Sequence, residues 1–185
     1  EDCAREHGHS MMLFNTDEEP TEEKKVISLL KSKRMSGFII SPTSKDPSAI
    51  TSMIGENSNF VIIDRKFPDI DTDQVYSDNE RGAYDAVEHL IDRGHEKIGL
   101  ILGTTSIPSV RERLEGYKRA LWDNNLEVHE DYIVKSGLEV EGAYICTEKL
   151  LNTNPEITAI FSANNVVTEG VFHYFKDGNI QCPQD

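Results

Sequence analysis

Short apolar runs separated by amphipathic stretches of helical length recur along the whole chain, and this alternation constrains the fold more than any other feature. Met11–Phe14, Phe38–Ser41, Asn59–Ile63, Val75–Ser77, Lys97–Leu102, Tyr132–Lys135 and Thr158–Ser162 read as strands. Pro20 opens a helix to about Arg34, with Glu18, Glu19, Glu22 and Glu23 around a first turn that attracts negative charge, and with Val26, Ile27, Leu29 and Leu30 to bury. A weaker helix runs from Pro47 through Ile54. Asp78 or Asn79 caps the next one, which carries Ala83, Val87, Leu90 and Ile91 on one face and stops at Gly94. Val110, Leu114, Tyr117 and Leu121, at spacings of 4, 3 and 4, form a single helical stripe. Glu141–Leu151 turns Tyr144, Thr147 and Leu151 inward, and Asn164–Lys176 closes at Gly178. No short internal repeat and no low-complexity tract interrupts the pattern. Strands alternating with helices of this length pair in parallel through right-handed crossovers, so the fold class is α/β with parallel sheets flanked by helices.

Charge narrows the function. With 19 Lys and Arg against 33 Asp and Glu, the 185 residues carry a formal net charge of −14. Neutralising a phosphate backbone needs clustered Lys and Arg, so this chain by itself is not expected to bind nucleic acid. The longest apolar runs fall far short of the ~20 residues that a bilayer span requires. Cys3, Cys146 and Cys182 are odd in number and unrelated in spacing, which fits reduced thiols in the cytoplasm rather than a disulfide framework. No Asn-x-Ser/Thr sequon is present, and Glu1-Asp2-Cys3 shows neither an initiator Met nor a signal peptide.

In open parallel sheets, ligands sit beyond the carboxyl ends of the strands. Asp64 and Arg65 follow one strand. Thr104, Thr105, Ser106 and Ser109, then Arg111 and Arg113, follow another, and Ser162 and Asn164 end a third. Guanidinium forks, a carboxylate and an amide are the inventory needed to hold vicinal hydroxyls. Taken one at a time, each also has a plain structural reading: a strand-ending Asp is often a turn residue, and Arg111 to Arg119 with Glu112 and Glu115 reads as a solvated helix face.

Other constellations are weaker. Cys3, His7 and His9 lack the paired spacing of a zinc site, and no metal is expected. His89 and His95 flank a helix end, where the negative dipole favours them. Gly103-Thr104-Thr105-Ser106 resembles a phosphate cradle only loosely, with neither Gly-Lys-Ser/Thr nor G-x-G-x-x-G present, so no cofactor is expected. The G-x-S-x-G elbow of α/β-hydrolases is missing, and no nucleophile-base-orienter set marks an enzyme. Trp122 and Tyr117 read as core or interface.

The runs NFVIIDR (59–65), SDNERGAYDAVEHLIDRGHEKIGLI (77–101), RERLEGYKRAL (111–121) and AIFSANN (159–165), closing with Pro183-Gln184-Asp185, resemble the effector-binding core of the lactose-repressor (LacI/GalR) family of bacterial transcription regulators. The order and spacing match along nearly the whole chain. The motifs mark the wider type I periplasmic-binding-protein fold, and Asp92-Arg93-Gly94-His95 with Ile98 leans toward the repressors. The resemblance implies two Rossmann-like lobes, 1–93 and 94–185, with a small-molecule effector, a sugar or sugar phosphate, in the cleft between them. It assigns ligand contacts to Asp64, Arg65, Arg113 and Asn164, which coincide with the strand ends above. Ser109 joins that set as a hydroxyl, and Leu138 falls where relatives place an aromatic against the ligand. Asn165 stands in place of the commoner Asp. Arg65, where an aromatic could stand, favours a hydroxyl-rich sugar over a flat nucleobase.

Relative to that family, the helix-turn-helix headpiece, the first strand of the first lobe with most of its helix, and everything after Pro183-Gln184-Asp185 are expected to lie outside these residues. The 185 residues alone are therefore expected to be unstable, and DNA to be bound only through the headpiece of a cytoplasmic homodimer. The rival reading is a secreted sugar-binding protein that feeds a transporter.

Overall fold

The computed structural model describes residues 2–17, 19–33, 35–43, 48, 50, 51, 59–105 and 107–183. The chain divides into two compact units, Glu1–Ser77 and Asp78–Asp185. Helix Asn79–Asp92, which follows this division, lies in the second unit and packs against that unit's next helix.

Unit 1 holds helices α1 (Asp2–Glu6) and α2 (Pro20–Lys31) and a parallel sheet of β1 (Phe38–Ile40), β2 (Phe60–Ile63) and β3 (Asp73–Val75) in the order β1-β2-β3. Ile27 of α2 packs on Phe38, Ile40 and Phe60, while Ile50, Ile62, Phe67 and Ile70 form a second small cluster. Ile39 and Val75 stay exposed on the sheet. Four expectations are corrected here. Met11–Phe14 forms no strand: among the described residues no neighbour pairs with its backbone, and all four side chains are exposed. An apolar run becomes a strand only where a partner takes its N–H and C=O groups. The third strand lies at Asp73–Val75 rather than Val75–Ser77, because Val61, Ile62 and Ile63 pair with Asp73, Gln74 and Val75 and the chain then leaves to reach the cap at Asp78. Helix α2 stops at Lys31, where the Ser32 N–H and hydroxyl both turn back to the Leu29 carbonyl; Arg34 lies outside the described residues. Its buried stripe is Glu23 and Ile27, with Leu29 exposed. Most of the helix expected from Pro47 through Ile54 also lies outside the described residues, with Ser48, Ile50 and Thr51 helical.

Unit 2 holds α3 (Asn79–Asp92), β4 (Ile98–Leu102), α4 (Pro108–Asp123), β5 (Ile133–Lys135), α5 (Val140–Thr153), β6 (Ala159–Ser162) and α6 (Asn165–Asp177). A 3₁₀ turn, Glu130–Tyr132, precedes β5 and takes up Tyr132, the expected first residue of that strand. The sheet is parallel in the order β5-β4-β6, and all five residues of the central β4 are buried. Alternation across β4 places Ile98, Leu100 and Leu102 in the cluster with Val87, Val110, Tyr117 and Leu121, and Ile101 in the cluster with Ala143, Leu150, Val167 and Val171. The inward face of α5 is thus Ala143, Thr147 and Leu150, one step from the expected Tyr144, Thr147 and Leu151.

The two helix pairs meet in the same way, through a short repeat too brief to stand out in the sequence. Gly82-Ala83-Tyr84 in α3 and Gly142-Ala143-Tyr144 in α5 are the same tripeptide. A Cβ on Gly116 would lie 2.2 Å from the Glu80 carbonyl and 2.9 Å from Ala83; a Cβ on Gly170 would lie 2.4 Å from the Val140 carbonyl and 2.5 Å from Ala143. Each pair therefore packs backbone to backbone through a glycine.

Candidate functional site

At the carboxyl end of β2 in unit 1, the chain turns sharply. Asp64 has φ 71°, and the Arg65 N–H donates to the Ile63 carbonyl at 2.8 Å, closing a tight γ-turn around it. Its own N–H extends the ladder to the Val75 carbonyl at 2.9 Å, which leaves the carboxylate exposed beyond the strand. Backbone held in this sparsely populated region is a feature that clusters at ligand sites.

Arg65 is placed differently from its neighbour. It is 6% exposed, and its Nη1 donates to the Thr43 carbonyl. The Thr43 N–H donates to Glu23 Oε1 at 2.8 Å, and the Thr43 hydroxyl meets that of Thr16 at 3.0 Å. Thr43 thus joins the buried Glu23 carboxylate to the buried Arg65 guanidinium. Glu23 was read from the sequence only as first-turn acid; the signal that could have found it is its position four residues before Ile27, on the buried stripe of α2.

At the carboxyl end of the sheet in unit 2, three strand termini close on one another. A Cβ on Gly103, after β4, would lie 3.1 Å from the Gly137 carbonyl and 3.1 Å from Leu138 Cδ2, both after β5, and 3.4 Å from Asn164 Nδ2, after β6. Bare backbone at 103 lets these ends approach. Leu138 is 47% exposed at this edge. Asn164 caps α6, its Oδ1 accepting the Val167 N–H at 2.8 Å, which leaves Nδ2 as the donor facing the edge.

Arg113 comes to the same edge from α4. Its Nη1 donates to the Ala163 carbonyl, beside Asn164, and its Nε and Nη2 both donate to Asn79 Oδ1, at 3.0 and 2.8 Å. The Asn79 amide donates onward to Glu112 Oε2 at 2.9 Å. Asn79 follows no strand end, and in the sequence it stands only as a possible cap. Asp78 is the cap, accepting the Arg81 N–H at 3.0 Å, and this frees Asn79 to face α4.

Ser109 sits half-buried in the first turn of α4. Arg111 is exposed and ties that turn back to the Thr105 carbonyl at 3.0 Å, and Ser106 lies outside the described residues. At the opposite, amino end of β4, Tyr117 donates to the Ile98 carbonyl at 2.7 Å, and burial pushes its phenol up, keeping it a neutral donor. Burial likewise pushes the Cys146 thiol up, against the demands of a reactive thiolate. Of the expected residues, Arg113, Asn164 and Leu138 are gathered on one sheet edge, with Ser109 on the helix that enters it. Asp64 and Arg65 belong to the other unit.

A family model described as periplasmic binding proteins and the sugar-binding domain of the LacI family matches residues 1–185. A Paenibacillus polymyxa protein named as an HTH-type transcriptional regulator, EndR, is 33% identical over 178 residues, covering 95% of this chain and 52% of that protein. The HTH-type transcriptional repressor PurR of Haemophilus influenzae is 27% identical over 185 residues, covering 100% of this chain and 55% of its own. The chain thus spans about half the length of these relatives. The crystal structure of the transcription regulator CcpA of Lactococcus lactis superposes with a TM-score of 0.84 at 27% identity, covering 100% of this chain and 67% of that one.

Proposed function

The chain belongs to the family of periplasmic binding proteins and LacI-type sugar-binding domains, and from that premise we propose that it is the effector-sensing segment of a cytoplasmic transcription regulator that binds a sugar or sugar phosphate. Arg113 and Asn164 Nδ2 supply N–H donors to ligand oxygens, Ser109 a hydroxyl, and Leu138 an apolar face. In the first unit, Asp64 presents an exposed carboxylate suited to accept from hydroxyls. Arg65, buried on Thr43, holds the turn that presents Asp64. The regulator acts as a homodimer, and operator contacts come from a separate helix-turn-helix segment, a reading supported by the −14 charge of this chain, which disfavours phosphate contacts.

The observation that carries this reading is the gathering of Asn164 and Leu138 around Gly103, with Arg113 on the carbonyl of Ala163 beside Asn164, at the strand ends where parallel sheets present ligands. Relatives named as HTH regulators favour a transcriptional role over carriage to a transporter. The test is a thermal-shift screen of the intact protein against sugars and sugar phosphates. A saturable rise in melting temperature with one member, lost in Arg113→Ala at unchanged ligand-free stability, is the expected result. A screen in which Arg113→Ala responds as the parent does would overturn the assignment.

A further inference from the structure

Asn79 makes no expected contact with ligand, yet its side chain is committed to the residue that does. It is 8% exposed, its Oδ1 takes two of the donors of Arg113, and its Nδ2 is spent on Glu112. An amide is suited to this place because it accepts from a guanidinium without neutralising it. The nearby negative charge, Glu112, bonds to the amide rather than standing in Asn79's place on Arg113. The scaffold beneath is stiff: with Gly116 against the Glu80 carbonyl, α3 and α4 have no side-chain layer at that point in which to slide. Asn79 is also the second residue after the division between the units.

We propose that Asn79 is a positioning residue for effector recognition: its amide fixes the guanidinium of Arg113 in the orientation that meets a ligand oxygen, and it does so from the first turn after the junction of the two units. The proposal rests on Arg113 being an effector contact. Without Asn79, two of the three observed Arg113 bonds are lost and the fork is held by the Ala163 carbonyl alone, free to rotate about it. Orientation of a bidentate donor is a large part of its value, and by analogy with outer-shell partners of metal ligands, where loss costs about tenfold or more in affinity, a similar loss is expected here.

The test uses the intact protein labelled with ¹⁵N-arginine, with Arg113→Ala assigning the Arg113 Nε–H signal. In Asn79→Ala that signal should lose its protection from solvent exchange while the other arginine signals and the melting temperature hold. The exchanged pair Asn79→Asp with Glu112→Gln restores an acceptor for Arg113 and a donor toward residue 79, and should bring the protection back. Titration with D-ribose 5-phosphate, which offers both hydroxyls and phosphate, should show about a tenfold weaker Kd in Asn79→Ala. An unchanged Arg113 signal in Asn79→Ala, or no recovery in the folded exchanged pair, overturns the proposal. If Arg113→Ala binds the probe as the parent does, the effector reading of Arg113 fails, and the guanidinium signal still decides whether Asn79 positions it.

Discussion

Replacing Gly116 by Ala should separate the two helices on which the candidate site is built. A Cβ there would lie 2.2 Å from the Glu80 carbonyl oxygen, 2.9 Å from Ala83 Cβ and 3.0 Å from the Tyr84 nitrogen. Non-bonded heavy atoms settle near 3.5 Å, so α3 and α4 must part by roughly 1 Å. The nearest obstacle is backbone, which no rotamer change relieves. Overpacking of this kind costs typically ~1–3 kcal/mol, and the better helix propensity of Ala returns ~1 kcal/mol; the rigid neighbour places the net loss near ~2 kcal/mol. Gly82 in α3 is the matched control, since a Cβ there meets nothing within 4 Å. Gly82→Ala should gain ~1 kcal/mol from propensity alone, which sets the two variants about 3 kcal/mol apart in urea denaturation. The same separation would stretch the 2.8 and 3.0 Å bonds between Arg113 and Asn79 past hydrogen-bonding range, so Gly116→Ala should also lose effector response at temperatures where it is still folded. Equal stabilities for the two variants would refute the reasoning.

Two further predictions concern parts of the scaffold away from the sheet edges. The Tyr132 hydroxyl donates to Glu156 Oε1 at 2.7 Å, which holds the Glu156 carboxyl below its ordinary value and pushes the Tyr132 phenol up to about 12. A lowered carboxyl stabilises the fold above its unfolded pKa and loses that contribution as pH falls through the folded one; a raised phenol stabilises below 10.0 and loses it as pH climbs toward about 12. Tyr132→Phe should therefore melt below the parent between pH 5 and 10, with the gap closing on both sides; a gap independent of pH across thermal melts would contradict the pairing. Gln74 accepts the Phe67 N–H at 2.9 Å and donates to the Phe67 and Ile70 carbonyls at 2.8 and 3.0 Å. Gln74→Leu should cost ~1–3 kcal/mol in urea denaturation by stranding those backbone groups, and a loss below ~0.5 kcal/mol would show that the loop does not depend on them.

What the amino-acid pattern made legible follows from period and burial. The stripe Val110, Leu114, Tyr117 and Leu121 and the run Ile98–Leu102 are strong local signals, and the helix and central strand they describe sit where expected. Pro20 and Asn164 mark helix starts by local chemistry alone. Met11–Phe14 shows the limit, since its residues are apolar enough for a strand but pairing is a property of neighbours distant in sequence. The strand at Asp73–Val75 was misplaced for a related reason: register on β2, not hydropathy, selects the paired residues. The site divides along the same line. Asp64 and Asn164 follow strands, so topology alone puts these candidates at a sheet edge, whereas Arg113 reaches one from within a helix. Glu23 and Asn79 were invisible because a buried polar residue is known by its partner, Thr43 in one case and Arg113 in the other. Gly116 and Gly170 carry meaning only once the facing helices are known.

On the proposed function, binding of the intact protein to operator DNA, read by fluorescence anisotropy while the sugar or sugar phosphate found by thermal shift is added, tests the central claim most directly. A ligand shifts such an equilibrium only through its different affinity for the two states, and typical coupling of ~1–3 kcal/mol corresponds to about 5–150-fold in DNA affinity. The parent protein should show a change in that range, and Arg113→Ala should bind operator normally while ignoring the ligand. An Arg113→Ala protein whose operator affinity still moves with ligand as the parent's does would contradict the claim that this sheet edge senses the effector.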